Sequence, residues 1–183
     1  MVLQAMADLN IAVIGCGNPN RSDDGVGPAV IAELSRRALA PEISLFDAGT
    51  DGMAVMYRAR GATHLIVIDA RAPQRGPVSE PGSLYDVPGE VLAAVPPHSL
   101  NLHDFRWDHA IYTGRQIYRE AFPKHLRVLL IEAESLELGL GLTPKVAAVV
   151  ARAASKIEEM CTTYLETGEI SVGDEPAPRP VET

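Results

Sequence analysis

The chain reads as an α/β protein, a three-layer sandwich whose twisted, mostly parallel central sheet carries helices on both faces. Three observations predict this. Continuous apolar, β-branched runs recur at residues 10–14, 43–46, 64–68 and 127–131. Such runs suit strands buried on both faces, as in parallel sheets. Stretches of helical periodicity separate the runs, the alternation expected of an α/β layer fold. The first three runs lead into aspartates, which places acidic groups on the rim where such sheets hold ligands.

The first strand, 10–14, ends at Gly15-Cys16-Gly17-Asn18, followed by Asp23-Asp24-Gly25-Val26-Gly27. A helix is expected over 26–39, with Val26, Val30, Ile31 and Leu34 on one side. A short strand at 43–46 runs into Asp47-Ala48-Gly49. A helix over 51–60 takes Thr50 or Asp51 as its cap. The third strand, HLIVI, ends at Asp69. Residues 71–82, rich in proline and glycine, read as an excursion, and 83–87 as a strand at the sheet edge. A loop or short helix fills 88–97. The periodic stretch 102–122 predicts a helix closed by Pro123. RVLLI, at 127–131, is the last central strand. Thr143-Pro144 is a helix start, a capping hydroxyl with proline at the first position, and the helix runs to about 165. Residues 1–167 are expected to form one domain. Residues 168–183, with three prolines and few core residues, are expected to form a disordered tail.

Charge and cysteine content narrow the function. Sixteen basic against twenty-four acidic side chains leave a formal charge of −8, which argues against nucleic acid or an anionic membrane as partner. No apolar run reaches the ~20 residues needed to span a bilayer. The N-terminus lacks the basic-then-apolar pattern of a secretory signal, so a cytoplasmic location is expected. Cys16 and Cys161 are far apart and form neither a disulfide framework nor a CxxC pair. They read as buried, reduced thiols. A nucleophilic Cys16 would need a histidine base within reach, and the sequence shows none beside it.

The candidate site rests on Asp24 and Asp69, each just beyond a buried strand, and on His98 in VPPHSLNLHDF. Any one rim aspartate is ordinary turn and capping chemistry, but two on one rim favour a site. The Pro-Pro pair before His98 keeps it out of a helix interior. One nitrogen and two oxygens suit a borderline divalent ion such as zinc or nickel with open positions. Taken alone, His98 reads more readily as a surface loop histidine than as a ligand. Asp23 and Asp47 are candidates for orienting roles. His103 and Asp104 face substrate or support the site, or else join Asp108 and His109 on a solvated helix. Trp107, the single tryptophan, fits a core or a partner-contact role. Gly15-x-Gly17 with Asp47 ending the next strand also resembles a dinucleotide fingerprint. Asn20 replaces its third glycine, and the aspartates would repel a pyrophosphate.

Taken in order, these pieces resemble the [NiFe]-hydrogenase maturation endopeptidases. The resemblance runs through Gly15-Cys16-Gly17-Asn18, Asp23-Asp24-Gly25-Val26-Gly27, Asp47-Ala48-Gly49-Thr50, Asp69-Ala70, His98-Ser99-Leu100, Glu134-Ser135-Leu136 and Gly141-Leu142-Thr143-Pro144, over about residues 10–165. Ser99 stands where that family often has glutamine. The resemblance implies a peptidase that removes the C-terminal extension of a [NiFe]-hydrogenase large-subunit precursor after nickel insertion. It implies a catalytic and metal-contacting set of two carboxylates and a histidine, which falls on Asp24, Asp69 and His98. Nickel would come with the substrate as the recognition element, and zinc or cadmium are other ions such a set accepts. The expected enzyme is a monomer, with no nucleic-acid or membrane partner. A second reading is a maturation factor that binds nickel or a metallocentre without cleaving its partner. A third is the dinucleotide binder.

Overall fold

The computed structural model describes residues 9–73, 80–96 and 106–168. Five strands form one sheet: β1 (Ile11–Cys16), β2 (Ile43–Gly49), β3 (His64–Arg71), β4 (Leu84–Pro88) and β5 (His125–Glu132). Their order is β2-β1-β3-β5-β4. All neighbours are parallel except β4, which runs antiparallel to β5. The sheet is thus mixed. Strand β4 pairs with β5 alone at the edge of the sheet, so no second neighbour sets its direction. Its place at the edge also tolerates Pro88.

Burial follows position in the sheet. Every residue of β1 is buried, as are the first six of β3, whereas the edge strands β2 and β4 are mostly half-buried. The alternation of side chains along each central strand divides the core in two. On one face, α1 (Val26–Leu34), α5 (Pro144–Ala147) and α6 (Val150–Thr167) cover Ile11, Val13, Ile66, Ile68, Leu129 and Ile131. On the other, α2 (Gly52–Ala59) and α4 (Trp107–Tyr118) cover Ala12, Ile14, Leu65, Val67, Leu126 and Val128. The short α3 (Gly89–Leu92) follows β4. This is the three-layer arrangement expected.

Several boundaries differ from expectation, each for a local reason. Helix α1 stops at Leu34, not 39, because bonding tightens to i−3 at Arg36 and Arg37. The Arg37 guanidinium then folds over α6 and meets Ser155, Glu158 and the Ala151 carbonyl. Helix α4 begins at Trp107, because Arg106 is extended with ψ 171°, and residues 102–105 of the expected helix lie outside the described ones. The C-terminal helix is two segments, since the Val149 amide bonds to Val146 and breaks the i−4 ladder. Asp51, not Thr50, caps α2 by accepting from the Met53 and Ala54 amides at 2.9 and 3.1 Å. The expected tail falls almost wholly on residues 169–183, outside the described ones.

The order β2-β1-β3 matters for function. The chain turns one way from β1 to reach β2 and the other way to reach β3. Such a reversal opens a crevice beyond the carboxyl ends of the two inner strands.

Candidate functional site

The crevice is present. A cavity of about 210 Å³ lies over the ends of β1 and β3, lined by Cys16, Gly17, Asp24, Thr50, Asp69 and Trp107, with Gly49, Asp51, Gly52 and Arg106 completing the wall. Asp24 reaches it from a 3-10 turn, Ser22–Gly25, that directly follows β1. Asp69 reaches it from within β3, where it sits opposite Leu130 of β5. The structure therefore brings these two sequence-predicted carboxylates into one cleft. His98, His103 and Asp104 lie outside the described residues.

Two glycines make the approach of turn and strand feasible. Gly17 has φ +125°, and a side chain there would run into the Asp24 carbonyl. A Cβ at Gly27 would overlap the backbone of Cys16 and stand 2.7 Å from the Ile68 carbonyl oxygen. The start of α1 is thus seated directly on β1 and β3. These glycines serve backbone packing rather than a phosphate. The amides that would bind a phosphate are already used, since Gly17 N–H donates to the Gly49 carbonyl at 2.8 Å and Asn18 N–H donates to Asp24 Oδ2 at 3.0 Å.

Asp69 is 9% exposed, and its carboxylate is aimed by two donors. Trp107 Nε1–H donates to Oδ2 at 2.6 Å, and the Ala70 amide donates to Oδ1 at 2.8 Å. Burial pushes the Asp69 carboxyl up to about 6. The charge of Asp24 adds to that rise, while both hydrogen bonds and, more weakly, Arg106 oppose it. Among the described residues, no lysine or arginine forms an ion pair with Asp24 or Asp69. Two carboxylates facing one cleft without an ion pair, with only the more distant Arg106 charge in the wall, leave net negative charge there that suits a cation. Among the described residues alone, no group of three or more histidine, cysteine or acidic side chains is placed to hold a metal. Asp24 and Asp69 can supply two oxygens, and no third such side chain joins them among the described residues.

Cys16 is buried in the same wall. Burial pushes its thiol well up, and the negative charges of Asp69 and Asp47 push it further. A thiol held protonated in this way is a poor nucleophile. Asp47 accepts from the Gly49 amide at 2.9 Å and shapes the end of β2. Asp108 and His109 sit in the first turn of α4. There Asp108 accepts from the His109 amide at 2.9 Å and lies 3.7 Å from the Arg106 guanidinium.

Sequence reasoning left the part of Trp107 open, and it gave Asp23 an orienting role without identifying its partners. Trp107 emerges as the indole that orients Asp69, and only its being the single tryptophan at a helix start set it apart. Asp23 is fully buried and accepts four hydrogen bonds. Oδ1 takes the Thr143 amide at 2.7 Å, and Oδ2 takes the Glu134 and Ser135 amides and the Thr143 hydroxyl at 2.8, 3.0 and 2.9 Å. It latches the turn carrying Asp24 to the loop after β5 and to the start of α5. The Thr143-Pro144 start signal thus has its hydroxyl on Asp23 rather than on its own helix.

Comparison with known proteins agrees with this architecture. The family model described as hydrogenase maturation protease (HycI) matches residues 28–160, a span that contains Asp69 and His98 and begins after Asp24. The chain is 30% identical over 166 residues to the hydrogenase 2 maturation protease of Escherichia coli, covering 87% of this chain and 93% of that protein. It is 31% identical over 176 residues to the hydrogenase expression/formation protein HupD of Bradyrhizobium diazoefficiens, covering 93% and 85%. The solved hydrogenase maturating endopeptidase HybD of E. coli superposes with a TM-score of 0.71 at 26% identity, over 87% of this chain and 94% of that one. The chain belongs to the hydrogenase maturation protease family and is a peptidase.

Proposed function

We propose that this peptidase removes the C-terminal extension of a [NiFe]-hydrogenase large-subunit precursor, and that it engages the precursor through nickel already inserted there. The observation that carries this reading is the pair Asp24 and Asp69 facing one cleft, neither of them in an ion pair with a lysine or arginine among the described residues. Nickel belongs to the substrate in this reading. Asp24 and Asp69 supply two oxygens to it, and His98 supplies an imidazole nitrogen. Nickel accepts such mixed ligands and leaves positions for the substrate's own groups. Only loaded precursor then completes the contact, so the carboxylates act as a check on maturation before the peptide bond is cut.

The non-proteolytic alternative has no observation in its favour, since the relatives with matching sequence and structure are proteases. A dinucleotide is disfavoured by the internally used amides of Gly17 and Asn18. Incubating the protein with nickel-loaded and nickel-free precursor, and weighing the precursor by mass spectrometry, tests the proposal. Shortening of the loaded form alone is expected. Equal shortening of both forms would contradict nickel recognition.

A further inference from the structure

We propose that Leu138 and Leu140 form a rigid apolar prong that docks into a pocket on the folded part of the protein substrate, beside the cleft. The proposal rests on the peptidase reading above and adds to it a second contact, remote from the scissile bond.

Leu138 and Leu140 are 84% and 87% exposed, the highest values among the large exposed apolar side chains of the described residues. Isolated exposed leucines are common and need no explanation. These two differ because they flank Gly139, and Gly139 is pinned. Its amide donates to the Asn20 carbonyl at 3.0 Å, and its carbonyl accepts from the Ser22 amide at 2.9 Å. Arg21 Nε and Nη2 both donate to the Leu136 carbonyl, at 3.2 and 3.1 Å. The Asp23 amide donates to the Ser135 carbonyl at 3.1 Å. Ser22 is held at φ +47°, a left-handed conformation that non-glycine residues adopt at a cost. The loop is thus tied by hydrogen bonds to a fixed turn, not left slack.

Every one of these ties ends on residues 20–23, the segment that delivers Asp24 to the cleft. The prong is therefore indexed to Asp24 through a few residues of hydrogen-bonded backbone. A peptidase must bring its substrate to that cleft, so the substrate's own body is the surface that meets the prong. A preformed loop binds without the entropic cost of ordering, which makes exposed leucines useful there. Glu137, exposed beside Leu138, forms no ion pair among the described residues, whereas Glu134 on the same loop pairs with Lys145, so Glu137 suits a basic group on the rim of the substrate's pocket.

The test uses the double variant Leu138→Ser/Leu140→Ser, with nickel-loaded large-subunit precursor as probe. Binding is measured by biolayer interferometry and processing by mass spectrometry. Binding about tenfold weaker is expected, with wild-type processing rate at saturating precursor and an unchanged melting temperature. Unchanged binding overturns the prong. So does sedimentation showing that the wild type self-associates and the variant does not, which would make a second copy the occupant. If the wild type binds precursor without shortening it while the variant binds weakly, the peptidase reading fails and the prong stands. If the wild type does not bind precursor, both fall.

Discussion

Trp107 and Asp69 are 38 residues apart in the chain, yet the indole N–H meets the carboxylate at 2.6 Å inside the protein. Helix α4 and strand β3 come from opposite sides of the excursion and the residue 97–105 stretch. Their one shared hydrogen bond sets which way the Asp69 oxygens face. Trp107 is 7% exposed, so the contact is shielded from competing water.

Replacing Trp107 with Phe keeps most of the packing and removes the donor. Asp69 then rotates more freely and loses a bond that favours its ionised form. A hydrogen bond to a charged group contributes about 1.5–3 kcal/mol. Processing of the precursor should therefore fall by about tenfold or more, with circular dichroism unchanged. Steady-state kinetics beside a thermal melt checks this, and wild-type kinetics would show that the indole orients nothing of consequence.

Asp23 gives the largest expected effect on stability. Its four donors all face a carboxylate with no exposed surface. Asp23→Ala leaves those part-buried donors without their acceptor, at a cost of about 1–3 kcal/mol. Asp23→Asn presents an NH2 group to donors and should recover only part of the loss. Urea unfolding midpoints, at an unchanged slope, provide the measurement.

Gly17→Ala should be poorly tolerated as well. Its φ of +125° and its contact with the Asp24 carbonyl leave no room for a methyl group without moving the turn. Loss of processing should therefore exceed loss of stability, because the turn can shift and take Asp24 with it. A crystal structure of the variant would show whether Asp24 leaves the cleft.

The pH dependence of stability has two opposed parts in the metal-free protein. His64, at the opposite end of β3, is buried between His125 and Tyr164 at ring distances of 4.5 and 4.9 Å. Burial, helped by the charge of His125, pulls it from 6.5 to about 4. The unfolded chain then binds the extra proton between these values, so this group makes stability rise with pH from about 4 to 6.5. Asp69 is raised from 3.8 to about 6, so the native state binds the extra proton in that window, and stability falls as pH rises through it. Each shift is worth about 3 kcal/mol, and the two nearly cancel. Asp69→Asn should unmask His64, giving a protein that loses stability steadily as pH drops below 6.5. Denaturation midpoints of wild type and variant across this range check the sign.

Much of this was legible in the chain. The three inner strands, β1, β3 and β5, stood out because burial on both faces forces continuous apolar runs, and the half-buried β2 stood out by Ile43, Leu45 and Phe46. Asp24 and Asp69 stood out because a carboxylate just beyond such a run has no place in the core. The antiparallel direction of β4 was not legible, because an edge strand has the same composition in either direction. Asp23 and Asp24 are chemically identical neighbours. Only the three-dimensional path of residues 134–143 separates them, by putting four donors around one and leaving the other facing the cleft. Trp107 was ambiguous for a similar reason, since a buried indole packs like any core aromatic until its N–H finds a partner. His98 lies outside the described residues, and its part in the site rests on the family resemblance.

The central claim is that Asp24, Asp69 and His98 together read the nickel of the substrate. Its most direct test is tail removal from nickel-loaded precursor by Asp24→Ala, Asp69→Ala and His98→Ala, followed by mass spectrometry of the intact precursor. Each variant should stay folded and leave the extension attached over a time in which the wild type removes it completely. Wild-type removal by all three variants would contradict the account.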